Sequence, residues 1–288
     1  MRVYISVDME GIAGVNHAKP TQRGDDAYPR SALLMTREAN AAIEGAFDGG
    51  ADEVVVNDSH GKMFNLLPEE LDARARLVQG TKAWSMAEAA AEGSYDVALF
   101  VGYHARAGHP RGTIAHTYTG APTLTTLDGR PTGEYGINGL YLGALGIPVG
   151  MVAGDDALAE EVAEWLPWAE RVAVKRGVSW QAADSLHPSA ARDLVRDGAR
   201  RAVERAGAVS ADAATVTGDH AEPLRPLVLG SPIEVGIDFR HAGEADYAAL
   251  IPGFRREGDR GVRYDATDGI DAFRAFVSAV RVATLADD

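Results

Sequence analysis

The chain has no cysteine among its 288 residues. This absence excludes a disulfide framework, a thiolate metal site and a cysteine nucleophile. If the protein binds a metal, the ligands must be nitrogen and oxygen atoms of His, Asp and Glu. The search for a metal site is therefore restricted to these three residue types.

The sequence also lacks long apolar runs and an excess of positive charge. No stretch reaches the roughly 18 apolar residues of a transmembrane helix, and the opening segment MRVYISVD lacks the layout of a secretory signal. We therefore expect a cytoplasmic protein without a membrane partner. The formal charge of −14 and the scatter of the 28 basic residues argue against nucleic acid as a partner.

The remaining composition, 46% apolar and 24% charged, is ordinary for a soluble globular protein. Four apolar runs in the first half predict buried strands. Such near-continuous runs are typical of a parallel sheet that is covered on both faces. The predicted strands are Val3–Val7, Glu53–Asn57, Asp96–Val101 and Pro148–Ala153.

Helical patterns separate these strands. A first helix is predicted between Ser31, as its N-cap, and the glycine pair that begins at Gly49. A second is predicted from Thr81, and a third from its N-cap Asp155 to Pro167. Because strand and helix alternate, we expect a three-layer αβα sandwich with a mainly parallel sheet.

The pattern changes after residue 178, and strands that alternate apolar and polar residues follow a long helix. We expect a smaller C-terminal α+β domain there, which divides the chain into domains over 1–178 and 179–288. Its predicted elements are a helix over 187–207, a strand over 232–239, a short helix over 244–251, a strand over 261–266 and a closing helix from Gly269.

Ionisable side chains follow three of the predicted strands. Asp8 and Glu10 follow the first in SVDMEG, His60 the second in VVVNDSHG and His104 the third in LFVGYHA. The carboxyl ends of parallel strands share one edge of the sheet, where open α/β proteins bind ligands. We therefore expect these four side chains to converge. Asp58, also at a strand end, is interpreted as a turn residue or a support for a ligand.

Four such groups left without a counter-charge would be costly, and a divalent cation would supply that charge. Nitrogen and oxygen ligands suit Zn, Mn, Fe or Co, and the number of carboxylates indicates two metals about 3.5–4 Å apart. A single Asp at a strand end is more often a turn residue, and a single buried His is more often structural. The convergence of all four favours the metal site.

The spacing of Asp8 and Glu10 gives a further expectation. Residues two apart in a strand point to the same face, so both carboxylates would reach one metal pair if the strand continued. If the chain turns at Met9 instead, this reason fails.

Six short motifs in order resemble one family. They are SVDMEG, VNDSHGKM, LFVGYHARAG, GTIAHT, PTGEYGIN and IPVGMVAGDD. Together they resemble the zinc-dependent D-aminopeptidases, first named as dipeptide transport operon proteins, which act on D-Ala-D-Ala and other peptides of D-amino acids. The resemblance runs from residue 1 to about 160 and continues more faintly to the C-terminus.

The resemblance implies a dinuclear zinc site, in which Mn²⁺ or Co²⁺ could replace Zn²⁺. It makes zinc ligands of five residues, Asp8, Glu10, His60, His104 and Glu134. It also makes His116, in GTIAHT, similar to the catalytic histidine of the family, either as acid and base or as a partner of the oxyanion. The family fold is an αβα domain with a smaller domain, and its members form homo-oligomers that are decameric rings.

The implied function is hydrolysis of N-terminal D-amino acids from short peptides by a water that two zinc ions activate. Two alternatives stay open at this point. An amidase, or another metal-dependent amide hydrolase, would present the same carbonyl to the same ligands. A dipeptide-binding component of a transporter would bind peptides without turnover. A phosphoesterase is disfavoured, because the sequence has no glycine-rich loop of the G-x-x-x-x-G-K type.

Overall fold

The structure, a computed structural model, describes residues 1–211 and 222–287. Its strands are β1 (Arg2–Val7), β2 (Glu53–Asp58), β3 (Arg76–Val78), β4 (Val97–Tyr103), β5 (Pro122–Leu127), β6 (Arg130–Pro131), β7 (Val149–Asp155), β8 (Glu170–Ser179), β9 (Ala182–Ser185), β10 (Ile233–Phe239), β11 (Arg255–Glu257) and β12 (Gly261–Ala266). Its α-helices are α1 (Tyr28–Asp48), α2 (Glu134–Ala144), α3 (Asp156–Trp165), α4 (Pro188–Ala211), α5 (Ala242–Ala249) and α6 (Gly269–Ala283).

The larger sheet has seven strands in the order β3-β2-β1-β4-β7-β8-β9. Every neighbouring pair is parallel except β8 and β9. All residues of β4 and β7 are buried, which explains why these strands are apolar without alternation. The four strands predicted from apolar runs are confirmed.

Helices flank this sheet. Helices α1 and α4 pack against each other and against the sheet, while α2 and α3 contact β7 and its neighbouring strands. The Asp155 side chain caps α3 by accepting a hydrogen bond from the backbone N–H of Leu158 at 2.8 Å, as predicted. The expected sandwich of helices around a mainly parallel sheet is confirmed.

The smaller sheet is antiparallel and has the order β11-β12-β10-β5-β6. Its last two strands come from residues 122–131, where no strand is predicted from the sequence. The sequence signal for these two strands is the dipeptide Asp128-Gly129, which is typical of tight hairpin turns. Both residues have positive φ, as such a turn requires. Conversely, β9 and α4 follow residue 178 and pack with the larger sheet. The division at residue 178 stays a prediction. Each sheet contains strands from both sides of this residue.

The helix predicted from Thr81 is wrong. The structure has only one turn of 3₁₀ helix, Ser85–Ala87, in this alanine-rich segment. The carbonyl oxygen of Met86 accepts hydrogen bonds from the hydroxyls of Ser6 at 2.9 Å and Tyr4 at 3.3 Å, both on β1. These bonds from the sheet use a carbonyl that a helix would need for itself, so tertiary contacts override the local helix propensity.

The other predicted helices and strands of the second half are found close to their predicted positions. The first predicted helix begins at Tyr28, four residues earlier than expected, and its N-cap is Ala27 instead of Ser31. Within the described residues, none of the helices combines the length and the apolar character that a membrane crossing needs.

Candidate metal centre

Three adjacent strands of the larger sheet end at the same level. Val7 at the end of β1 pairs with Asp58 of β2 on one side and with Val101 of β4 on the other. The residues that follow these strands therefore lie side by side. The predicted convergence of Asp8, Glu10, His60 and His104 at one edge is confirmed.

The reason given for the shared direction of Asp8 and Glu10 is wrong. Strand β1 ends at Val7 and the chain turns through Met9, so strand periodicity does not apply. The turn nevertheless brings both carboxylates to one imidazole. Nδ1 of His60 lies 3.2 Å from Oδ1 of Asp8 and 2.9 Å from Oε2 of Glu10.

Two glycines allow this turn to lie against the end of β4. A Cβ atom on Gly11 would lie 1.9 Å from the carbonyl oxygen of Tyr103. Gly102 has a φ of +71°, and a Cβ atom there would lie 2.2 Å from the carbonyl oxygen of Asp8. The backbone N–H of Gly11 donates to the carbonyl of Gly102 at 2.8 Å. This close approach of the two chain segments requires residues without side chains.

His104 and Glu134 complete the cluster. Nε2 of His104 lies 3.4 Å from Oδ2 of Asp8 and 3.5 Å from Oε1 of Glu134. Glu134 is the first residue of α2, where the positive end of the helix dipole stabilises a carboxylate. The predicted ligands share deep burial, with at most 6% of each residue exposed. They are Asp8, Glu10, His60, His104 and Glu134.

A backbone carbonyl orients each buried imidazole. Nε2 of His60 contacts the carbonyl oxygen of Thr21 at 2.9 Å, and Nδ1 of His104 contacts that of Ala105 at 2.9 Å. When these nitrogens carry the N–H, the opposite nitrogens face the carboxylates and can bind a metal once they lose their protons. This orientation by a second hydrogen bond is typical of metal-binding histidines.

The electrostatics of the metal-free cluster follow from its burial and its mixed charges. Burial lowers the pKa of His60 and His104, but nearby carboxylates, Glu10 for His60 and Glu134 for His104, outweigh it and raise both pKa values well above 6.5. Burial raises the pKa of Asp8, yet the neighbouring imidazoles of His104 and His60 outweigh it and lower the pKa to about 2. A cation that binds here must displace the imidazole protons.

His116 differs from the five buried residues. Its side chain is 27% exposed, and its ring stacks on that of His104 with a centroid distance of 4.2 Å and an interplanar angle of 14°. Its Nδ1 contacts the carbonyl oxygen of Ile114 at 2.9 Å, and its Nε2 lies 3.9 Å from Oε1 of Glu134. His116 is therefore the member of the cluster that a ligand from solvent can reach.

Two atoms at the centre are buried without a hydrogen-bond partner among the described residues, Nε2 of His104 and Oε2 of Glu134. Ligand atoms form two groups, each spanning less than 4.8 Å, and both groups include His104. The first holds Asp8 and Glu10 with His104, and the second holds His116 and Glu134 with His104. Unpaired polar atoms and an all-nitrogen and oxygen donor set fit zinc.

A buried hydrogen-bond network holds Glu134 in place. No sequence pattern was used to predict this network. The backbone N–H of Tyr118 donates to Oε1 of Glu134 at 2.6 Å, and its hydroxyl donates to Oδ1 of Asn138 at 2.6 Å. Asn138 donates to the Tyr103 hydroxyl at 2.9 Å. The available signal was the spacing of Glu134 and Asn138, which places them on one face of a helix.

Asp58 supports the loop after His60. Its carboxylate accepts hydrogen bonds from the backbone N–H of Leu66 and the side-chain amide of Asn65, both at 2.8 Å. The same amide donates to the carbonyl of His60 at 2.6 Å. Asp58 thus acts on His60 through Asn65, in keeping with its interpretation as a supporting residue.

Comparison with known proteins places the chain in a family. A family model described as D-aminopeptidase, of peptidase family M55, matches residues 1–278. The chain belongs to this D-aminopeptidase family. The resemblance inferred from the six sequence motifs is therefore confirmed.

Known members of the D-aminopeptidase family match along nearly the whole chain. A D-aminopeptidase of Bacillus subtilis strain 168 is 36% identical over 285 residues, which cover 98% of each chain. A solved structure, the zinc-dependent D-aminopeptidase DppA from Bacillus subtilis, described as a self-compartmentalizing protease, matches with a TM-score of 0.87 and 35% identity. That match covers 99% of this chain and 98% of the other, and it supports the fold class.

Proposed function

We propose that this member of the D-aminopeptidase family is a zinc-dependent aminopeptidase that releases N-terminal D-amino acids from short peptides. The observation that carries the proposal is the cluster of three buried carboxylates and two buried imidazoles. Ligand atoms of all these residues except His60 fall into two groups joined at His104, the second of which also includes His116, and His60 contacts the first group through Asp8 and Glu10. The zinc-dependent relative of known structure supports the choice of metal. The ligands would be Asp8, Glu10, His60, His104 and Glu134.

Charge balance supports two metal ions rather than one. The ionised carboxylates of Asp8, Glu10 and Glu134 bring three negative charges into a buried site. One divalent ion would leave a net negative charge there, which is costly in the protein interior. Two ions leave one positive charge, which favours the electron-rich carbonyl of a substrate.

The pair of zinc ions, when bound, supplies an activated water and polarises the scissile carbonyl. His116 lies beside this centre and is exposed to solvent. With its Nδ1 held by Ile114, its Nε2 can either move a proton to the leaving amine or donate a hydrogen bond to the tetrahedral oxyanion.

The decisive experiment compares paired D- and L-configured dipeptides and aminoacyl anilides on the zinc-loaded protein, with a chelator-treated sample as control. We expect amine release from the D-configured substrates, loss of release with the chelator, and close to two zinc ions per chain by emission spectroscopy. Cleavage of amides that lack a free α-amine would instead identify an amidase. Peptide binding without turnover would identify a transport component.

We also propose that the protein forms a homo-oligomer, a decameric ring by resemblance to its family. The relative described as a self-compartmentalizing protease supports this proposal. Light scattering after size-exclusion chromatography measures the mass directly, and a 30.4 kDa species would contradict the proposal.

A further inference from the structure

A buried lysine anchors the loop that carries Glu10. Lys175, on β8, is 3% exposed, and its Nζ donates hydrogen bonds to three backbone carbonyl oxygens. These belong to Glu10, to Ile12 at 3.2 Å and to Val15 at 2.5 Å. A protonated amine has three N–H donors, so the three carbonyls match the capacity of an ammonium group.

The other backbone groups of this loop are also held. The N–H of Ala13 donates to Oε2 of the buried Glu38 at 3.2 Å, and the N–H of Gly14 donates to the Ser185 hydroxyl at 2.9 Å. Residues 10–15 therefore form a rigid turn whose carbonyls at positions 10, 12 and 15 point inward to one centre. Glu10 lies at the start of this turn, and its carboxylate faces His60.

Carbonyl oxygens that converge on one point form the type of site that binds monovalent cations such as K⁺. In this loop the ammonium group of Lys175 occupies that position, attached to the protein by its own side chain. An apolar replacement would leave the buried carbonyls of Glu10 and Val15 without a donor among the described residues, whereas that of Ile12 would keep the backbone N–H of Val15 at 3.1 Å. Rearrangement of the loop would relieve this cost.

We propose that Lys175 is a positioning residue whose ammonium group acts as a tethered monovalent cation, fixing the turn over residues 10–15 so that the Glu10 carboxylate is preorganised for metal binding. This inference rests on the proposed metal centre. Substitution of a residue that orients a metal ligand typically lowers metal affinity or activity about 10- to 100-fold. Loss of Lys175 should weaken zinc binding by a factor in this range.

The test uses Lys175→Ala in the full chain and n-propylammonium chloride as the probe. Propylammonium has the three carbons and the amine that the substitution deletes. Lys175→Met is the matched control, because its side chain fills the same space without a donor and blocks entry of the amine. Zinc affinity is measured by competition with a chromogenic chelator, and turnover on a D-configured anilide is measured in parallel.

We expect Lys175→Ala to lose about 10- to 100-fold in zinc affinity and to regain most of it with saturating propylammonium. Tetramethylammonium chloride at the same ionic strength should restore nothing, and Lys175→Met should respond to neither salt. Zinc affinity equal to that of the parent protein in Lys175→Ala would overturn the inference. Equal rescue of both variants, or global unfolding of both with and without the amine, would overturn it as well.

The two proposals can fail separately. If the parent protein binds zinc but cleaves no D-configured substrate, the proposed function fails, and the zinc affinities of the two variants still decide the role of Lys175. If the parent protein cleaves such substrates and Lys175→Ala does so equally well with unchanged zinc affinity, the function stands and the inference about Lys175 is wrong.

Discussion

Five of the ionisable side chains in this centre are buried, and the sixth, that of His116, is partly exposed to solvent. His116 is 27% exposed and stacks on the fully buried side chain of His104. An imidazole that solvent and substrate can reach suits proton transfer, whereas the buried groups suit the holding of ions. The roles of neighbouring histidines thus follow from their exposure.

His116→Ala should therefore keep its zinc and lose turnover. We expect a decrease in kcat of about 10²- to 10⁴-fold, the usual contribution of one acid or base group. Zinc per chain, measured by emission spectroscopy beside kcat on a D-configured anilide, checks both parts. A variant that loses zinc together with activity would show that His116 is a metal ligand.

Glu161 gives a prediction of pH dependence at a distance from the ligands. Its Oε2 accepts a hydrogen bond from the backbone N–H of Arg106 at 3.0 Å, and burial raises its pKa from 4.5 to about 7 despite this bond. Between these pH values the folded protein keeps a proton that the unfolded chain releases. The free energy of unfolding should therefore fall as the pH rises from 4.5 to 7.

Glu161→Gln removes this titration and should flatten the fall by roughly 2–3 kcal/mol. Urea unfolding of both proteins at pH 5 and pH 8 measures the difference. Glu160→Gln, at the exposed neighbouring position, serves as the matched control for the loss of a carboxylate from α3. If Glu161→Gln keeps the full pH dependence of the parent protein, this account of Glu161 is wrong.

At the level of elements, the parallel strands and the edge where they end could be predicted from the sequence, because buried strands are apolar throughout and topology alone places their ends together. The segment from Thr81 could not, since carbonyls such as that of Met86 bond to side chains from distant β1. The strands around Asp128 were missed because β6 has only two residues and β5 pairs with β10, more than 100 residues later. Glu134 and His116 were found only through family resemblance, because His116 lies in a loop without periodicity and Glu134 begins α2, a helix that was not predicted.

The contact between the turn that follows β1 and the end of β4 offers a test at this scale. Gly102→Ala adds a Cβ atom 2.2 Å from the carbonyl oxygen of Asp8, at a φ of +71°. Gly129 has a φ of +72° with no atom within 4 Å of an added Cβ, so Gly129→Ala carries the backbone cost without the clash.

We expect Gly129→Ala to lose about 1 kcal/mol of unfolding free energy and Gly102→Ala to lose distinctly more, together with zinc affinity. Chemical denaturation and chelator competition measure the two effects. Equal losses in the two variants would show that the approach of the segments is looser than the structure indicates.

For the molecule as a whole, the centre joins parts of the chain that lie far apart in sequence. Between β4 and β7 the chain leaves the larger sheet, forms β5 and β6 of the smaller one, and returns through α2, whose first residue is Glu134. Zinc that binds the folded centre should therefore stabilise the fold as a unit, by about 2.7 kcal/mol at a free concentration 100 times its Kd.

Thermal unfolding with zinc and with a chelator checks this expectation. The Tm should fall on chelation, and Asp8→Asn should unfold at the same temperature in both conditions. A zinc-dependent Tm that persists in Asp8→Asn would place the stabilising ion elsewhere in the protein.

Because the chain has no cysteine, any cross-link between distant residues must come from a bound ion and not from a disulfide. A metal ion held by both Asp8 and Glu134 would close a loop across 126 positions of the sequence. A covalent cross-link over a loop of that size reduces the conformational entropy of the unfolded chain by an amount worth about 4–5 kcal/mol. A bound ion would cross-link the folded chain reversibly. The same five side chains would thus provide a reversible cross-link in a protein that has no disulfide.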